Sequence, residues 1–126
     1  MSEKTNYSVP LSYMRIEETM RHAMNQMEDL TSSFAVTADE FGKAEATYEI
    51  AYAKSRLSAR YEGSHNGLKI TADMASDLAT TETETERLAM EAAKAKHDAT
   101  RQALLSVRSR VEALRSLMAS YREAGG

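Results

Sequence analysis

Helix-breaking residues are scarce in this sequence, and their scarcity constrains the fold more than any other feature. The 126 residues include one proline, Pro10, and five glycines. No glycine or proline occurs between Gly67 and Gly125. Because these two residue types interrupt helices most effectively, long helices can run through most of the chain. We therefore expect an all-α fold.

Three helices are predicted, over Leu11–Leu30, Thr37–Tyr61 and Ala72–Arg122. The second begins with a capping box, in which the Thr37 hydroxyl accepts from the amide of Glu40 while the Glu40 side chain reaches back. A serine pair before it, at residues 32 and 33, is expected to separate the first helix from the second. The first helix is therefore predicted to be short and distinct.

The third predicted helix is much longer than the second. Thr71 is its expected N-cap, after a turn at residues 62–67. At about 1.5 Å per residue the third helix extends roughly 75 Å, against about 36 Å for the second. A threonine- and glutamate-rich stretch at residues 80–86 is expected to be weakly helical and to bend it. The predicted fold is a long antiparallel hairpin over residues 34–126, preceded by an N-terminal helix and linker over 1–33.

The C-terminal part of the third helix shows a coiled-coil seam. Apolar residues alternate there at spacings of three and four, at Leu104, Val107, Val111, Leu114, Met118 and Tyr121. Either the first helix folds back onto this seam or another copy of the chain covers it. Because the first helix is short and its apolar stripe is mostly Met, we favour assembly of a homo-oligomer, larger than a dimer, through these six residues.

Patterns typical of catalysis are missing. Cysteine is absent, which excludes disulfides, thiol chemistry and thiolate metal sites. His22, His65 and His97 lack the spacing of metal ligands, and no glycine-rich phosphate loop occurs. We therefore expect a protein that binds and assembles rather than an enzyme, with no metal and no cofactor.

The chain also lacks the features of membrane and secreted proteins. No run of about 18 apolar residues occurs, so no transmembrane helix is predicted. The first residues do not place a basic segment before an apolar one, so no signal peptide is expected. A cytoplasmic location is the resulting expectation.

The end of the second predicted helix concentrates positive charge. Three cations, Lys54, Arg56 and Arg60, lie within seven residues, and no carboxylate occurs from Ile50 to Tyr61. Tyr52 and Tyr61 flank them, and Lys69 follows across the turn. Cations can neutralise phosphates and aromatic rings can stack on unpaired bases, which indicates single-stranded nucleic acid. Equally, the cations can simply complement the negative end of the helix dipole while the tyrosines pack in the seam.

This segment resembles a known family. Lys54-Ser55-Arg56-Leu57, followed by Tyr61 and Gly63, a short turn and a long helix from about Thr71, is similar to the UvsY family of phage recombination mediators. The resemblance covers roughly residues 40–124. It implies a small, helical, oligomeric protein that binds single-stranded DNA.

Further expectations follow from the resemblance to this family. A mediator helps a RecA-like recombinase to displace the single-strand-binding protein, so those two proteins are the implied partners. The family's Lys-x-Arg-Leu motif implies DNA contacts by Lys54 and Arg56, and its C-terminal helix implies assembly through the seam. A phage-encoded mediator would work in the cytoplasm of the bacterial host.

Two other functions compete with this interpretation. A structural coiled-coil protein, such as a virion scaffold or assembly chaperone, would show the same helices and seam without binding nucleic acid. A small secreted helical hairpin of the WXG type is disfavoured, because the chain has no Trp and its turn reads Glu-Gly-Ser-His-Asn-Gly.

Overall fold

The structure, a computed structural model, describes residues 12–125 and contains three helices within that range. We name them α1, Tyr13–His65, α2, Ala72–Glu82, and α3, Glu84–Glu123. The all-α fold class is confirmed. None of these helices has a stretch both long enough and apolar enough to cross a membrane.

Helix α1 is continuous through the segment where the sequence was expected to break. The predicted separation at residues 32 and 33 and the predicted capping box at Thr37 are therefore wrong. The physical reason is that the core-facing positions do not end there. Leu30, Phe34, Thr37 and Phe41 are all buried or half-buried, at spacings of four, three and four. Such spacing keeps one helix face in the core, so nothing forces the helix to stop.

The structure defines both ends of α1, and the C-terminal end differs from the prediction. Ser12 is the N-cap, because its hydroxyl accepts a hydrogen bond from the backbone N–H of Arg15 at 3.2 Å. The predicted start at Leu11 lies outside the described residues. At the other end the helix continues four residues past Tyr61, to His65, and takes in the first part of the expected turn.

The long third helix of the prediction is divided in two at Thr83. The predicted cap is confirmed at its start, where the Thr71 hydroxyl accepts from the amide of Met74 at 3.2 Å. At the division, both the amide and the hydroxyl of Thr83 donate to the carbonyl of Ala79, at 3.0 and 2.6 Å. The interruption falls inside the residue 80–86 stretch where a bend was expected, although Thr83 itself is buried rather than solvated.

By their contacts, the described residues form two compact units. The first unit combines the residues up to Ser33 with those from Arg101 onward, and the second comprises Phe34–Thr100. The division predicted from the sequence differs, because it grouped residues 101–126 with 34–100.

In the first unit, the beginning of α1 runs antiparallel to the end of α3. The Tyr13 hydroxyl accepts from Arg122 Nε at 3.3 Å, and the Gln26 side-chain oxygen accepts from an Arg110 amino group at 3.2 Å. The buried cluster between the two helices contains Ile16, Met20, Ala23, Val107, Val111 and Leu114. Met27, Leu30, Met118 and Tyr121 pack against it and are partly buried.

This core changes the interpretation of the C-terminal seam. The expectation that another copy of the chain covers the seam is corrected, because α1 covers it within the same chain. Four of its residues, Leu104, Val107, Val111 and Leu114, are buried, and the remaining two are half-buried. The α1 residues that pack against the seam lie between Ile16 and Leu30, so the first predicted helix is long enough by itself to cover it.

The second unit contains a polar layer in its helix pair. Thr37 is only 4% exposed, and its hydroxyl donates to the carbonyl of Phe34 at 3.1 Å and lies 2.8 Å from His97 Nδ1. Because a hydroxyl has a single proton, its oxygen is then free to accept from the ring N–H of His97. The imidazole also lies between two aromatic rings, 4.6 Å from Phe34 and 6.2 Å from Phe41 between centroids. A satisfied polar pair of this kind favours one register of the two helices.

The first prediction concerns the core of the first unit. Replacing Ile16 by Ala should lower the free energy of unfolding by about 2–5 kcal/mol, because the side chain is 0% exposed and its loss leaves a cavity. Met14→Ala, on the same helix but 77% exposed, is the matched control and should change stability by less than about 0.5 kcal/mol. Urea denaturation followed by circular dichroism measures both. Equal small effects would mean that the start of α1 does not cover the seam.

The second prediction concerns the polar layer. Thr37→Val should cost about 1–3 kcal/mol of folding free energy, because it leaves the ring nitrogen of His97 without its partner. The control, Thr47→Val, changes an exposed position of the same helix and should be close to neutral. A stability unchanged by Thr37→Val would show that the imidazole finds water instead.

Candidate nucleic-acid interface

The candidate site is the C-terminal end of α1 and the turn that follows it, all within the second unit. It contains four exposed cations: Lys54, Arg56, Arg60 and Lys69. None of them forms an ion pair with another residue in the described range 12–125. By contrast, Lys43 and Lys96 of the same unit are held by Asp39 and Glu40 at 3.0 and 3.5 Å. The cations of the candidate site are therefore free to meet a ligand anion.

Helix geometry divides these cations between two faces. At about 100° per residue, Arg56 lies roughly 160° around the helix from Lys54, so the two point to nearly opposite sides. Arg60 is four residues after Arg56 and shares its face. The Lys-x-Arg motif is thus not a single patch, and the cation pair that shares a face is Arg56 with Arg60.

The face of Lys54 carries exposed apolar surface. Leu57 is 66% exposed and Tyr61 is 71% exposed, three and seven residues further along the helix. The Tyr61 ring stacks on the ring of His65, with centroids 6.0 Å apart and planes inclined by 9°. This face therefore offers a flat aromatic surface beside a cation, which suits stacking on an unpaired base.

The second tyrosine expected to help, Tyr52, is placed differently. It is half-buried, and its ring meets that of Tyr48 at 6.0 Å with a tilt of 50°. Nearby, the hydroxyl of Ser55 donates to a carboxylate oxygen of Glu82 from α2. This carboxylate beside the basic segment was not foreseen, because Glu82 is distant in the sequence. Tyr52 is a packing residue, whereas Tyr61 is accessible.

The turn after α1 has a defined geometry. Gly67 takes a positive φ of 73°, the amide of Leu68 donates to the Gly63 carbonyl at 2.7 Å, and the amide of Gly67 donates to the Ser64 carbonyl at 3.2 Å. These two bonds define a Schellman motif. The motif reverses the chain sharply, so the following residues return along α1.

A close contact then fixes those returning residues. A Cβ added at Gly63 would overlap the side chain of Ile70, so Ile70 occupies the space that a larger residue at position 63 would need. Gly63 is accordingly buried within the last turns of α1. Packing of Ile70 onto the helix brings its neighbour, Lys69, close to the last turns of α1.

The result is a shallow depression of about 370 Å³ at the turn, lined by Arg60, Ser64, Gly67, Leu68, Lys69 and Ile70. Lys69 was expected to join the basic residues across the turn. In the structure it lines the same depression as Arg60. Sequence reasoning did not assign four of the lining residues to the site: Ser64, Gly67, Leu68 and Ile70. The Glu-Gly-Ser-His-Asn-Gly turn marked the location of Ser64 and Gly67, but not their side of the helix.

A second concave surface lies in the first unit. It is a groove of about 730 Å³ with four methionines in its wall, Met20, Met24, Met27 and Met118. Within residues 12–125, no group of three or more His, Asp or Glu side chains is placed to hold a metal ion. The groove is mostly apolar and has no cation cluster comparable to that at the turn.

The third prediction concerns the contact that shapes the turn. Gly63→Ala should destabilise the protein by about 1–3 kcal/mol, because the new methyl group overlaps the branched side chain of Ile70. Gly42→Ala is the matched control: nothing lies near its Cβ position, so it should stabilise α1 by about 0.5–1 kcal/mol. Thermal unfolding followed by circular dichroism should show a lower midpoint temperature for Gly63→Ala and a higher one for Gly42→Ala. In an Ile70→Ala background the penalty at position 63 should be much smaller, because only the Cβ of residue 70 remains nearby, at 3.1 Å. An undiminished penalty there would contradict this explanation.

No protein-family model, no curated protein and no solved structure matches this chain.

Proposed function

We propose that this protein binds single-stranded DNA through the end of α1 and serves as an accessory protein of phage-type recombination. One observation supports this most: the exposed cations at the end of α1 have no ion-pair partner within residues 12–125, in a segment without carboxylates. Unpaired cations also occur elsewhere in the described range, for example at Arg15 and Lys94, so the support comes from their concentration at the end of α1: Lys54, Arg56 and Arg60 lie within seven residues.

The chemistry of the site favours a single strand over a duplex. The cations attract phosphates whatever the base sequence. The exposed ring of Tyr61 offers a stacking surface, which only an unpaired base can use. Affinity should therefore be salt-dependent, tolerant of sequence and higher for single strands.

The proposed partners follow from the resemblance to the recombination mediators. They are a RecA-like recombinase and the single-strand-binding protein that it replaces on the strand. Several copies of this site in one assembly would increase affinity through multivalency. Because α1 covers the C-terminal seam, such an assembly, larger than a dimer, would have to use other surfaces of the chain.

A structural coiled-coil protein, such as a virion scaffold or assembly chaperone, is the second candidate. It is favoured by exposed apolar side chains on one face of α1: Val36, Ile50 and Leu57 are separated by multiples of seven residues. Such a stripe suits docking against another helix. This function requires no nucleic acid, so a binding experiment separates it from the first proposal.

The fourth prediction tests DNA binding. A labelled oligonucleotide of about 20 thymidines should bind the wild-type protein in fluorescence anisotropy, with affinity falling steeply between 50 and 200 mM salt. Lys54→Gln combined with Arg56→Gln should weaken binding and reduce the slope of log K against log salt by about 1.4, since two single-strand phosphate contacts are lost. Arg15→Gln combined with Lys94→Gln is the control, because it removes the same charge from exposed positions elsewhere.

The outcomes separate the two candidates. Equal losses in the two double variants would indicate a general charge effect rather than a site. If the wild-type protein does not bind the oligonucleotide at 50 mM salt, the DNA-binding proposal is wrong and the structural coiled-coil function replaces it. Light scattering on each variant is needed as well, because a change of assembly would alter affinity through multivalency alone.

A further inference from the structure

The depression at the turn has the composition of an anion site. Two of its six lining residues are cations, Arg60 and Lys69, one carries a hydroxyl, Ser64, and none is acidic. The side chains of all three polar residues are without hydrogen-bond or ion-pair partners among residues 12–125. Convergent, unpaired cations around a concave surface favour an anion over water alone.

We infer that this depression binds a single phosphate group, with Arg60 and Lys69 as counter-charges and Ser64 as a hydroxyl donor. The inference rests on the proposed function in one respect, since it identifies a DNA phosphodiester as the source of that phosphate. A free phosphate would present the same chemistry, and the experiment below distinguishes the two. The depression, at about 370 Å³, has room for a phosphate group together with several waters of about 30 Å³ each.

The turn geometry explains why the two cations meet at one anion. Gly67 adopts a positive φ, so the chain folds back, and Ile70 packs where Gly63 has no side chain. Lys69 precedes Ile70 directly and is therefore held near the helix. Arg60 comes from the helix itself, one turn before Ser64. The two cations thus approach the ligand from two separate segments of backbone.

The same geometry assigns different tasks to the two faces of α1. Arg60 lies with Arg56 on one side, whereas Lys54 and Tyr61 lie on the other. A strand whose phosphate occupies the depression can continue past Arg56, and its bases can reach Tyr61 only by crossing the helix end. Loss of the depression should therefore weaken the phosphate contacts without removing stacking on Tyr61.

A double-mutant cycle tests whether Arg60 and Lys69 share one phosphate. The variants are Arg60→Gln, Lys69→Gln and both together, measured by anisotropy with the same thymidine oligonucleotide on the full chain. Each single change should weaken binding about tenfold, the usual size for a charged hydrogen bond. Both together should weaken it far less than a hundredfold, because the two changes remove contacts to the same group. The salt slope of the double variant should fall by about 0.7, the value for one single-strand phosphate.

A fall in slope of about 1.4 with fully additive losses would overturn the inference, because it would mean two separate phosphates. Affinity unchanged in the double variant, with binding lost on changing Lys54 and Arg56, would also overturn it while leaving the proposed function intact. The control is again Arg15→Gln with Lys94→Gln, which carries the same change of charge.

Inorganic phosphate provides the second arm and separates the sources of the anion. Titrated at constant ionic strength, it should shift the backbone amide NMR signals of Ser64, Gly67 and Lys69 saturably in the wild-type protein. The shifts should vanish in the Arg60→Gln, Lys69→Gln double variant and persist in the control. Saturable shifts in a protein that does not bind the oligonucleotide would support a free phosphate as ligand and refute the proposed function. Absence of both shifts and oligonucleotide binding would refute the phosphate site as well.

Discussion

The regular spacing of core-facing residues along α1 is the constraint on which the rest of the structure depends. Every residue of one stripe is buried or half-buried at alternating intervals of three and four: Tyr13, Ile16, Met20, Ala23, Met27, Leu30, Phe34, Thr37, Phe41, Ala44, Tyr48, Ala51 and Ser55. An interval averaging 3.5 residues keeps a stripe on one side of a helix and produces coiled-coil packing. The helix is long because this stripe is long, and it ends where glycines permit a reversal.

Much of the fold was predictable from the sequence, and the errors have one cause. The all-α class follows from the scarcity of breakers, and the Thr71 cap follows from its side chain, so both were predicted and found. The separation of α1 into two helices failed because a local capping signal at Thr37 was preferred over the periodicity through Leu30, Phe34 and Phe41. A threonine suits a helix cap, but it also suits a buried position when a partner such as His97 is available. That partner is sixty positions away, and no local pattern reveals it.

The candidate site, too, was predictable from local sequence patterns only in part. The cations and Tyr61 were recognisable as residue types, and helical spacing alone already separates Lys54 from Arg56. The convergence of Arg60 with Lys69 depends on the contact of Gly63 with Ile70, which is a property of packing rather than of composition. The exposed basic residues therefore form two surfaces of different chemistry, one suited to phosphate and one with an aromatic ring.

The pairing of the helices also has consequences for how the chain folds. The hydrogen-bonded partners Ser55 and Glu82 are 27 positions apart, Thr37 and His97 are 60 apart, and Tyr13 and Arg122 are 109 apart. The entropy lost on closing a loop increases with loop length, though slowly, so contacts near the turn form at the lowest cost. We expect folding to begin at the turn and to proceed toward the chain ends, with the pairing of Tyr13 and Arg122 as a late event. During synthesis the first part of α1 must therefore remain with its apolar stripe uncovered until the C-terminal part of α3 has been made.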